Sequence, residues 1–332
     1  MAPLPPATVE QYYARGIYPW LQARMTTWSN AIPFALFDVL LVTTLAVLGV
    51  IGFRAIRRGR RGRSWHRVAS GALAAVSVVA TAYVWFALMW GLNYRRLSID
   101  ERLGADPGRV TSDAVLALGE RAIVEVNRRY APAHARGFPD VHDVPADLVG
   151  AFHETERMMG RPRPFVPGHP KRTLLDLFFR ASGTDGMTAP FFLETLLNAG
   201  LTGPERPIVL AHEWAHLSGL APEADASFIA VLAALRADVS SQYSAWLSLV
   251  MDVASRLPSA PRSQLTERLE EGPRGDWALI VARLQTRVRV VERVSWLTYD
   301  RYLRSQGVDE GVVNYSRVIE LLIATDALSA ID

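Results

Sequence analysis

Two histidines and a glutamate lie within five consecutive residues of this sequence. Residues 208–219 read IVLAHEWAHLSG, in which HEWAH has the form H-E-x-x-H. His212 and His216 are four residues apart, so on a helix both imidazoles project from one face and can bind one tetrahedral metal ion. The surrounding apolar residues predict a buried helix, in which three polar side chains need a partner. The pattern therefore predicts a zinc site with Glu213 as the general base.

A catalytic zinc site needs a third protein ligand, and two acids downstream can supply it. Gly219 can end the first helix, and Pro222 can open the next one, which begins EADAS. Glu223 is favoured as the ligand, because it would lie in the first turn of a helix folded back against HEWAH. Ser227, one turn later on the same face, could support a ligand through a hydrogen bond. Asp225, which points roughly 160° away around that helix, is the alternative ligand.

The segment just before the motif, residues 182–200, is a candidate substrate-binding element. If it is extended, it can form an edge strand along the cleft and offer backbone hydrogen bonds to a peptide. An amphipathic helix from Phe191 to Asn198 explains the same residues equally well, and the sequence does not separate the two. Glu194 and Asn198 are the polar candidates for substrate contact in this segment.

Three tyrosines near the C-terminus are candidates for stabilising the oxyanion of a tetrahedral intermediate. Tyr299, Tyr302 and Tyr315 lie around two glycines, and a tyrosine hydroxyl can donate the hydrogen bond that such an oxyanion requires. Tyr302 is our candidate for this catalytic role. The alternative for all three is packing with a satisfied hydroxyl, which is the more common use of tyrosine.

Two long apolar segments precede all of these residues. Residues 34–53 contain one charge, Asp38, and at about 1.5 Å per residue they would cover roughly 30 Å as a helix. Residues 68–93 contain no charge, and the aromatic side chains near their end are typical of a membrane interface: Tyr83, Trp85, Trp90 and Tyr94. We predict two transmembrane helices. The first is not a cleavable signal peptide, because it begins too late and its basic cluster follows the apolar run.

The charges place the rest of the chain relative to the membrane. Residues 54–67 contain seven arginines and no acid, so the positive-inside rule predicts a cytoplasmic loop. Residues 1–33 and the large domain 94–332 would then both lie outside the cytoplasm. Removing the seven charges from the net +3 of the chain leaves the remainder at −4, which argues against a nucleic-acid surface. The predicted partners are the lipid bilayer and a peptide or protein substrate.

The absence of cysteine limits the chemistry of the site, and the spacing of apolar residues predicts the fold class. The 332 residues include no cysteine, which excludes disulfides, thiolate metal ligands and a cysteine nucleophile. After the second apolar segment, residues 130–171 are rich in Pro, Gly and His and predict loops with short helical turns. Apolar residues recur at helical spacing in 112–129, 240–256, 276–297 and 310–328. We predict a mainly α protein, with two N-terminal transmembrane helices followed by a mostly helical domain that has room for a small edge β element.

Several strings of this sequence, taken together, resemble a known family nearly end to end. They are YYARGIYPW, IPFALFD, WGLNYRR, PFFLETLLN, HEWAHLSGLAPEADASF, QYSAWL and YDRYLRSQGVDEGVVNYSRVIELL. The chain is similar to the bacterial membrane-protein family catalogued as domain of unknown function 3810. This resemblance implies two N-terminal spans in the bacterial cytoplasmic (inner) membrane and a zincin-like, gluzincin-like peptidase domain.

The resemblance also bears on the third ligand. The string from Glu223 to Ser227 is similar to the E-x-x-x-D/N element that supplies that ligand in gluzincins. Ser227 stands where an acid or amide is usual, which leaves the ligand intact and puts its hydrogen-bonded support in question. Asp225 stands at a position that is often Glu in the family, so it remains an alternative ligand.

Two classes of function fit these observations. The leading hypothesis is a membrane-anchored, zinc-dependent peptidase or related amide hydrolase, in which Glu213 takes a proton from a water activated by Zn²⁺. The alternative is a non-catalytic membrane protein that retains a zinc site for structural or binding purposes. A site inside the membrane is disfavoured by the arginines and acids scattered through residues 95–332.

Overall fold

The protein is mainly α-helical with one small sheet. Its computed structural model describes residues 4–59, 65–161, 163–305 and 317–331. The first helices are α1 (Pro6–Thr8), which continues through the π-helical stretch Val9–Ile17 into α2 (Tyr18–Asn30), then α3 (Leu36–Gly59) and α4 (Trp65–Met89). The later helices are α5 (Ile99–Leu103), α6 (Ser112–Arg136), α7 (Ala146–Met158), α8 (Asp176–Ser182), α9 (Arg206–Leu217), α10 (Glu223–Arg236), α11 (Val239–Arg256), α12 (Ser259–Glu267), α13 (Glu271–Gln285), α14 (Arg289–Ser305) and α15 (Val318–Ala324).

Helices α3 and α4 contain the two apolar segments and pack against each other. Within them, Leu36–Arg54 and Ala69–Met89 are long and apolar enough to cross a membrane, with mean hydropathies of 2.3 and 2.0. Only 6% and 11% of these stretches are buried inside the protein, so their apolar surface faces outward, as in helices that associate with a membrane. Both helices extend into the arginine-rich segment, to Gly59 and from Trp65, and residues 60–64 lie outside the described residues.

A three-stranded sheet comes directly before the H-E-x-x-H helix in the chain. Its strands are β1 (Pro170–Lys171), β2 (Gly186–Ala189) and β3 (Glu194–Leu197), in the order β1-β3-β2. β1 is parallel to β3, and β2 is antiparallel to it, so that β2 and β3 form a hairpin with β2 at the edge. The extended interpretation of residues 182–200 is therefore the correct one, and the helix from Phe191 to Asn198 is wrong.

The turn of this hairpin packs against both apolar helices. The indole Nε1 of Trp85, in α4, donates a hydrogen bond of 3.0 Å to the carbonyl oxygen of Phe191. The ring of Phe191 also lies 6.0 Å, centroid to centroid, from the ring of Phe37 in α3. The turn between β2 and β3 thus contacts both candidate membrane spans.

The core is built around α6, α7, α9, α10 and α11, which pack against one another. The apolar segment that begins at Phe228 is divided between two core helices, α10 and α11. Helix α10 ends at Arg236, and the side chain of Asp238 caps α11 by accepting a hydrogen bond from the backbone N–H of Ser241. Residues on every side of α10 are buried, which explains why its sequence is apolar all round.

Two parts of the helical prediction differ from the structure. The segment 130–171 contains more helix than its Pro, Gly and His content predicts, because α6 continues through Pro132 to Arg136 and α7 follows. Helix α7 buries an apolar face that includes Leu148 and Phe152. The stretch 276–297 is divided between α13 and α14.

The N-terminal helices pack onto the large domain. The hydroxyl of Tyr18 donates to the carbonyl oxygen of Leu217, at 2.9 Å, and the hydroxyl of Thr26 donates to that of Leu193, at 3.0 Å. The segment before α3 and the domain after α4 therefore lie at the same end of the helical pair. If α3 and α4 both cross a membrane, the chain returns to the side from which it started, which agrees with these contacts.

Candidate metal centre

Helix α9 carries the H-E-x-x-H motif, and α10 folds back against it. The reversal is local. Gly219 has φ of +97°, a left-handed conformation that favours glycine, and it follows the last turn of α9. Pro222 is the N-cap of α10, so Glu223 is its first residue. Gly219 at the end of α9 and Pro222 at the start of α10 therefore bring the first turn of α10 to the face of α9 that carries both histidines.

Three side chains converge at this junction. Oε2 of Glu223 lies 3.1 Å from Nε2 of His212 and 3.2 Å from Nε2 of His216. One ligand atom from each residue falls within 4.8 Å of the other two. Two imidazole nitrogens and a carboxylate oxygen form a donor set that suits Zn²⁺ and leaves a fourth position open.

The other ring nitrogen of each histidine has its own partner. Nδ1 of His216 lies 2.8 Å from the carbonyl oxygen of Leu220, which can only accept, so Nδ1 carries the proton when the ring is neutral. Nδ1 of His212 lies 3.2 Å from the hydroxyl of Ser227. Such partners fix the ring orientation and direct the lone pair of Nε2 toward the metal position. Ser227 therefore contacts His212, one of the three candidate ligands.

The remaining oxygen of Glu223 binds a tyrosine from a distant helix. The hydroxyl of Tyr299, in α14, donates a short hydrogen bond to Oε1 of Glu223. Burial by itself raises the pKa of Glu223, but His216 and the hydrogen bonds from both imidazoles outweigh burial and hold the pKa well below 4.5. Burial lowers the pKa of His216, yet Glu223 raises it to about 9. Both oxygens of the Glu223 carboxylate thus have partners: the two imidazoles contact Oε2, and the Tyr299 hydroxyl contacts Oε1.

Glu213 lies next to this group under strand β2. Its side chain is almost fully buried, and burial raises its pKa above the ordinary value of 4.5 despite the two nearby histidines. The hydroxyl of Thr188 lies 2.9 Å from Oε2 of Glu213 and 2.8 Å from its backbone oxygen. A Cβ atom at Gly186 would lie 2.7 Å from Oε1 of Glu213, so only glycine lets the strand approach this closely. A carboxylate with a raised pKa, held beside a metal position, is suited to accepting a proton.

Asp225 is directed away from the histidines. It is buried and accepts a hydrogen bond of 3.3 Å from the backbone N–H of Ile99, at the start of α5. Burial raises its pKa to about 7. Among the described residues, Glu223 is the acid that converges with His212 and His216.

Glu194 has a structural environment that the sequence did not predict. It is 1% exposed, and its Oε1 lies 2.6 Å from Nζ of Lys171, the single lysine of the chain. The two carboxylate oxygens also accept hydrogen bonds of 3.0 Å from the backbone N–H groups of Leu36 and Phe37, in the first turn of α3. These contacts occupy the carboxylate and leave it out of the converging group, so the structure corrects the assignment of Glu194 to substrate contact.

Asn198 is likewise engaged within the protein. It is 1% exposed, its Nδ2 donates to the carbonyl oxygen of Thr184, and its Oδ1 accepts from the backbone N–H of Gly200. It stabilises the ends of the hairpin instead of facing the metal position. The predicted substrate-contact role is therefore replaced by a structural one here as well.

The three C-terminal tyrosines have different outcomes. Tyr299 reaches the converging group, whereas the side chain of Tyr302 and the whole of Tyr315 lie outside the described part of the structure. No spacing rule distinguishes Tyr299 from its neighbours, because it lies 76 residues from Glu223. Thr188 was also missed, although the segment that contains it was recognised as a candidate edge strand.

The second apolar helix ends beside the candidate metal centre. Trp90 directly follows α4, and its ring lies 6.2 Å from the ring of His216 in an edge-on arrangement, with an interplanar angle of 68°. Trp90 is 5% exposed, so it is part of the wall behind the histidine. The converging group therefore lies at the end of the candidate spans.

Comparison with known proteins gives one family. Residues 13–323 match the family described as Protein of unknown function (DUF3810). No curated protein and no solved structure matches the chain. The matched region includes both apolar helices, the β2–β3 hairpin, and all the residues of the candidate metal centre. The chain belongs to the family described as Protein of unknown function (DUF3810).

Proposed function

We propose that the protein is a membrane-anchored zinc metallopeptidase of the gluzincin-like type, which hydrolyses an amide bond with Glu213 as the general base. The observation that carries this proposal is the convergence of His212, His216 and Glu223 within 4.8 Å, directly beside a buried carboxylate. A peptidase needs this combination, because the metal ligands and the base must meet at one point.

The donor set fits zinc. Both Nε2 atoms face one oxygen of Glu223, while both Nδ1 atoms have partners outside the group. Zinc bound there would lower the pKa of a coordinated water toward 7 and polarise the carbonyl of the scissile bond. Tyr299 would hold the Glu223 carboxylate in place during turnover.

Glu213 is positioned to move the proton. Its raised pKa favours uptake of a proton from the attacking water and later release of that proton to the leaving amine. The Thr188 hydroxyl holds one of its oxygens, which fixes the direction of the carboxylate. The close approach of Gly186 on the other side limits rotation of the same group.

The edge strand supports a peptide as the substrate. Among the strands of the described residues, β2 pairs with β3 alone, which leaves its other backbone edge for an extended chain, and β2 lies directly against Glu213. Addition of a strand would supply backbone hydrogen bonds without reading side chains. A peptide or protein substrate that binds in extended form is therefore the class that this site fits best.

For the cellular location, we place α3 and α4 across the bacterial cytoplasmic membrane. The arginines of residues 54–67 favour a cytoplasmic position for the connection, so residues 1–33 and 94–332 would be extracytoplasmic. The contacts between these two parts support this arrangement, because both must then lie on one side. A reporter fused after Asp332 should behave as extracytoplasmic, and a cytoplasmic signal would contradict this topology.

A second candidate is a non-catalytic zinc-binding membrane protein. It is favoured by the same convergence of His212, His216 and Glu223, since these three side chains could hold a zinc ion for a structural or binding purpose. Such a site needs no turnover to explain it. The two candidates differ in the role of Glu213, which only a catalyst requires as a base.

The experiment uses the full-length chain in detergent and three proteins: wild type, His212→Ala and Glu213→Gln. We expect about one zinc per chain in wild type and Glu213→Gln, and a loss in His212→Ala. Each protein is then incubated with a peptide library prepared from a bacterial proteome, and new termini are identified by mass spectrometry. Termini produced by wild type and absent with Glu213→Gln support the peptidase. Equal zinc content in wild type and His212→Ala would contradict the proposed metal site. If wild type binds zinc but wild type and Glu213→Gln give identical termini, the non-catalytic candidate would be favoured.

A further inference from the structure

Helix α8 exposes a group of large apolar side chains. Leu174, just before the helix, is 70% exposed, Leu177 is 79% exposed and Phe178 is 44% exposed. Such neighbouring side chains in water are unfavourable, and clusters of this kind mark surfaces that contact a membrane or another protein.

Helix α14 exposes a similar stripe. Val290, Val294 and Leu297 are 71%, 57% and 52% exposed, and their spacing of four and three residues puts them on one face. The exposed Arg293 and Arg301 fall on the same side of the helix. A face that alternates aliphatic side chains with arginines is typical of helices that lie in the interface of an anionic bilayer.

The two helices are joined at one end. The backbone N–H of Val288, just before α14, donates a hydrogen bond of 2.9 Å to the carbonyl oxygen of Ala181 in α8. The helices also pack directly against each other. The exposed residues of α8 and α14, namely Leu174, Leu177, Phe178, Val290, Val294 and Leu297, are therefore treated as one surface, called the apolar face below.

The apolar face begins at the start of the first candidate span. Asp38, in the first turn of α3, accepts hydrogen bonds of 2.7 Å from the hydroxyl of Thr173 and 2.8 Å from the backbone N–H of Leu174. Phe37 packs into the same small cluster as Phe179 of α8. Leu174 therefore lies at the level where α3 would enter a bilayer.

We infer that the apolar face lies in the outer interface of the same bilayer that α3 and α4 cross, so that the domain rests on the lipid through α8 and α14. The inference rests on the proposed membrane location. Continuity with α3 favours lipid over a protein partner, since any surface level with the first turn of a span already borders the headgroups. The two arginines provide the charge complementarity that anionic lipid requires.

The arrangement would connect the metal centre to the lipid. Tyr299, which binds Glu223, lies on α14 only two residues after Leu297. One helix would therefore be in contact with lipid through its first half and with a candidate metal ligand through its second.

The absence of cysteine makes the test direct. Single substitutions Leu177→Cys and Val294→Cys are labelled with a fluorophore in the full-length chain, which is reconstituted at low density in vesicles of phosphatidylcholine and phosphatidylglycerol. Matched controls are Leu45→Cys, mid-span and 61% exposed, and Val124→Cys, on α6 and 54% exposed. Circular dichroism checks that each variant keeps its fold. Quenching is measured with lipids brominated near the headgroup or deep in the chain.

We expect headgroup-proximal bromines to quench the labels at residues 177 and 294 at least twofold more than the label at residue 124. The label at residue 45 should respond most to deep bromines. If residue 45 responds while residues 177 and 294 match residue 124, the inference is overturned and the membrane location stands. If residue 45 does not respond either, both are overturned. Labels at residues 177 and 294 that are shielded but insensitive to bromination would indicate a second copy of the chain and would also overturn the inference.

Discussion

The identity of the third metal ligand is tested most sharply by two isosteric substitutions, Glu223→Gln and Asp225→Asn. Each replaces a carboxyl group with an amide of the same shape and leaves one oxygen as a hydrogen-bond acceptor. In the structure, Oε2 of Glu223 lies between both imidazoles, whereas Asp225 accepts a hydrogen bond from Ile99. An asparagine oxygen can still accept that bond, so Asp225→Asn is a matched control for the exchange of a buried carboxyl group for an amide.

The expected magnitude follows from the contacts. Loss of a residue that merely supports a ligand typically costs 10- to 100-fold in metal affinity, and loss of a ligand should cost at least as much. Glu223→Gln should therefore weaken zinc binding by at least tenfold, or about 1.4 kcal/mol. Asp225→Asn should weaken it less than threefold, or by under about 0.7 kcal/mol, because its carboxylate is directed toward α5.

The assay is competition between the purified, detergent-solubilised protein and a chromophoric zinc chelator. Circular dichroism of each metal-free variant shows that the protein titrated is folded. A reversed order of affinities would identify Asp225 as the ligand and would mean that α10 is rotated from the orientation described. Equal zinc affinities for wild type, Glu223→Gln and Asp225→Asn would refute the proposed metal site.

Three further predictions concern the partners of buried charges. Tyr299→Phe removes the hydrogen-bond donor to the Glu223 carboxylate, the proposed third ligand, and should lower zinc affinity about tenfold in the same titration. Lys171→Met leaves the buried Glu194 carboxylate without its cation and should lower the free energy of unfolding by about 3 kcal/mol. Adding Glu194→Gln to that variant should recover part of the loss. The guanidinium of Arg96 donates hydrogen bonds of 2.9 and 3.1 Å to the two carboxylate oxygens of Glu10. Burial raises the pKa of Glu10, but these bonds outweigh burial and lower the pKa below 4.5, so the ionised carboxylate stabilises the fold above that pH. Glu10→Gln should therefore reduce stability by about 2 kcal/mol at pH 7, and the difference should shrink as the pH falls below 4.5 in thermal unfolding.

Local signals in the sequence were enough to predict the core of the site. The spacing of His212 and His216 needs only helical periodicity, and Gly219 and Pro222 mark a reversal that is completed within four residues. Those signals favoured Glu223 and left Asp225 as an alternative, and only the orientation of α10 in the structure separates the two acids. The two apolar helices could be predicted for the same reason, because length and hydropathy are properties of a continuous segment.

Contacts between distant parts of the chain could not be predicted in this way. Glu194 looked like a candidate for substrate contact because it is polar and close to the motif, but its N–H partners in α3 lie more than 150 residues away. The link from Tyr299 to Glu223 spans 76 residues, and that from Thr188 to Glu213 spans 25. Such pairs depend on tertiary packing, about which residue spacing in one sequence carries no information.

The β2–β3 hairpin has a geometric consequence for a substrate anchored in the same membrane. At one end Gly186 lies against Glu213, and at the other Phe191 contacts Phe37 and Trp85 on the two candidate spans. Four strand residues at roughly 3.3 Å each cover about 13 Å. The length of the hairpin would thus set the distance between the membrane and the proposed site, so that hydrolysis occurs only a few residues beyond the point where a substrate leaves the lipid. A hairpin lengthened by two residues in each strand would move the cleaved bond outward by about 7 Å.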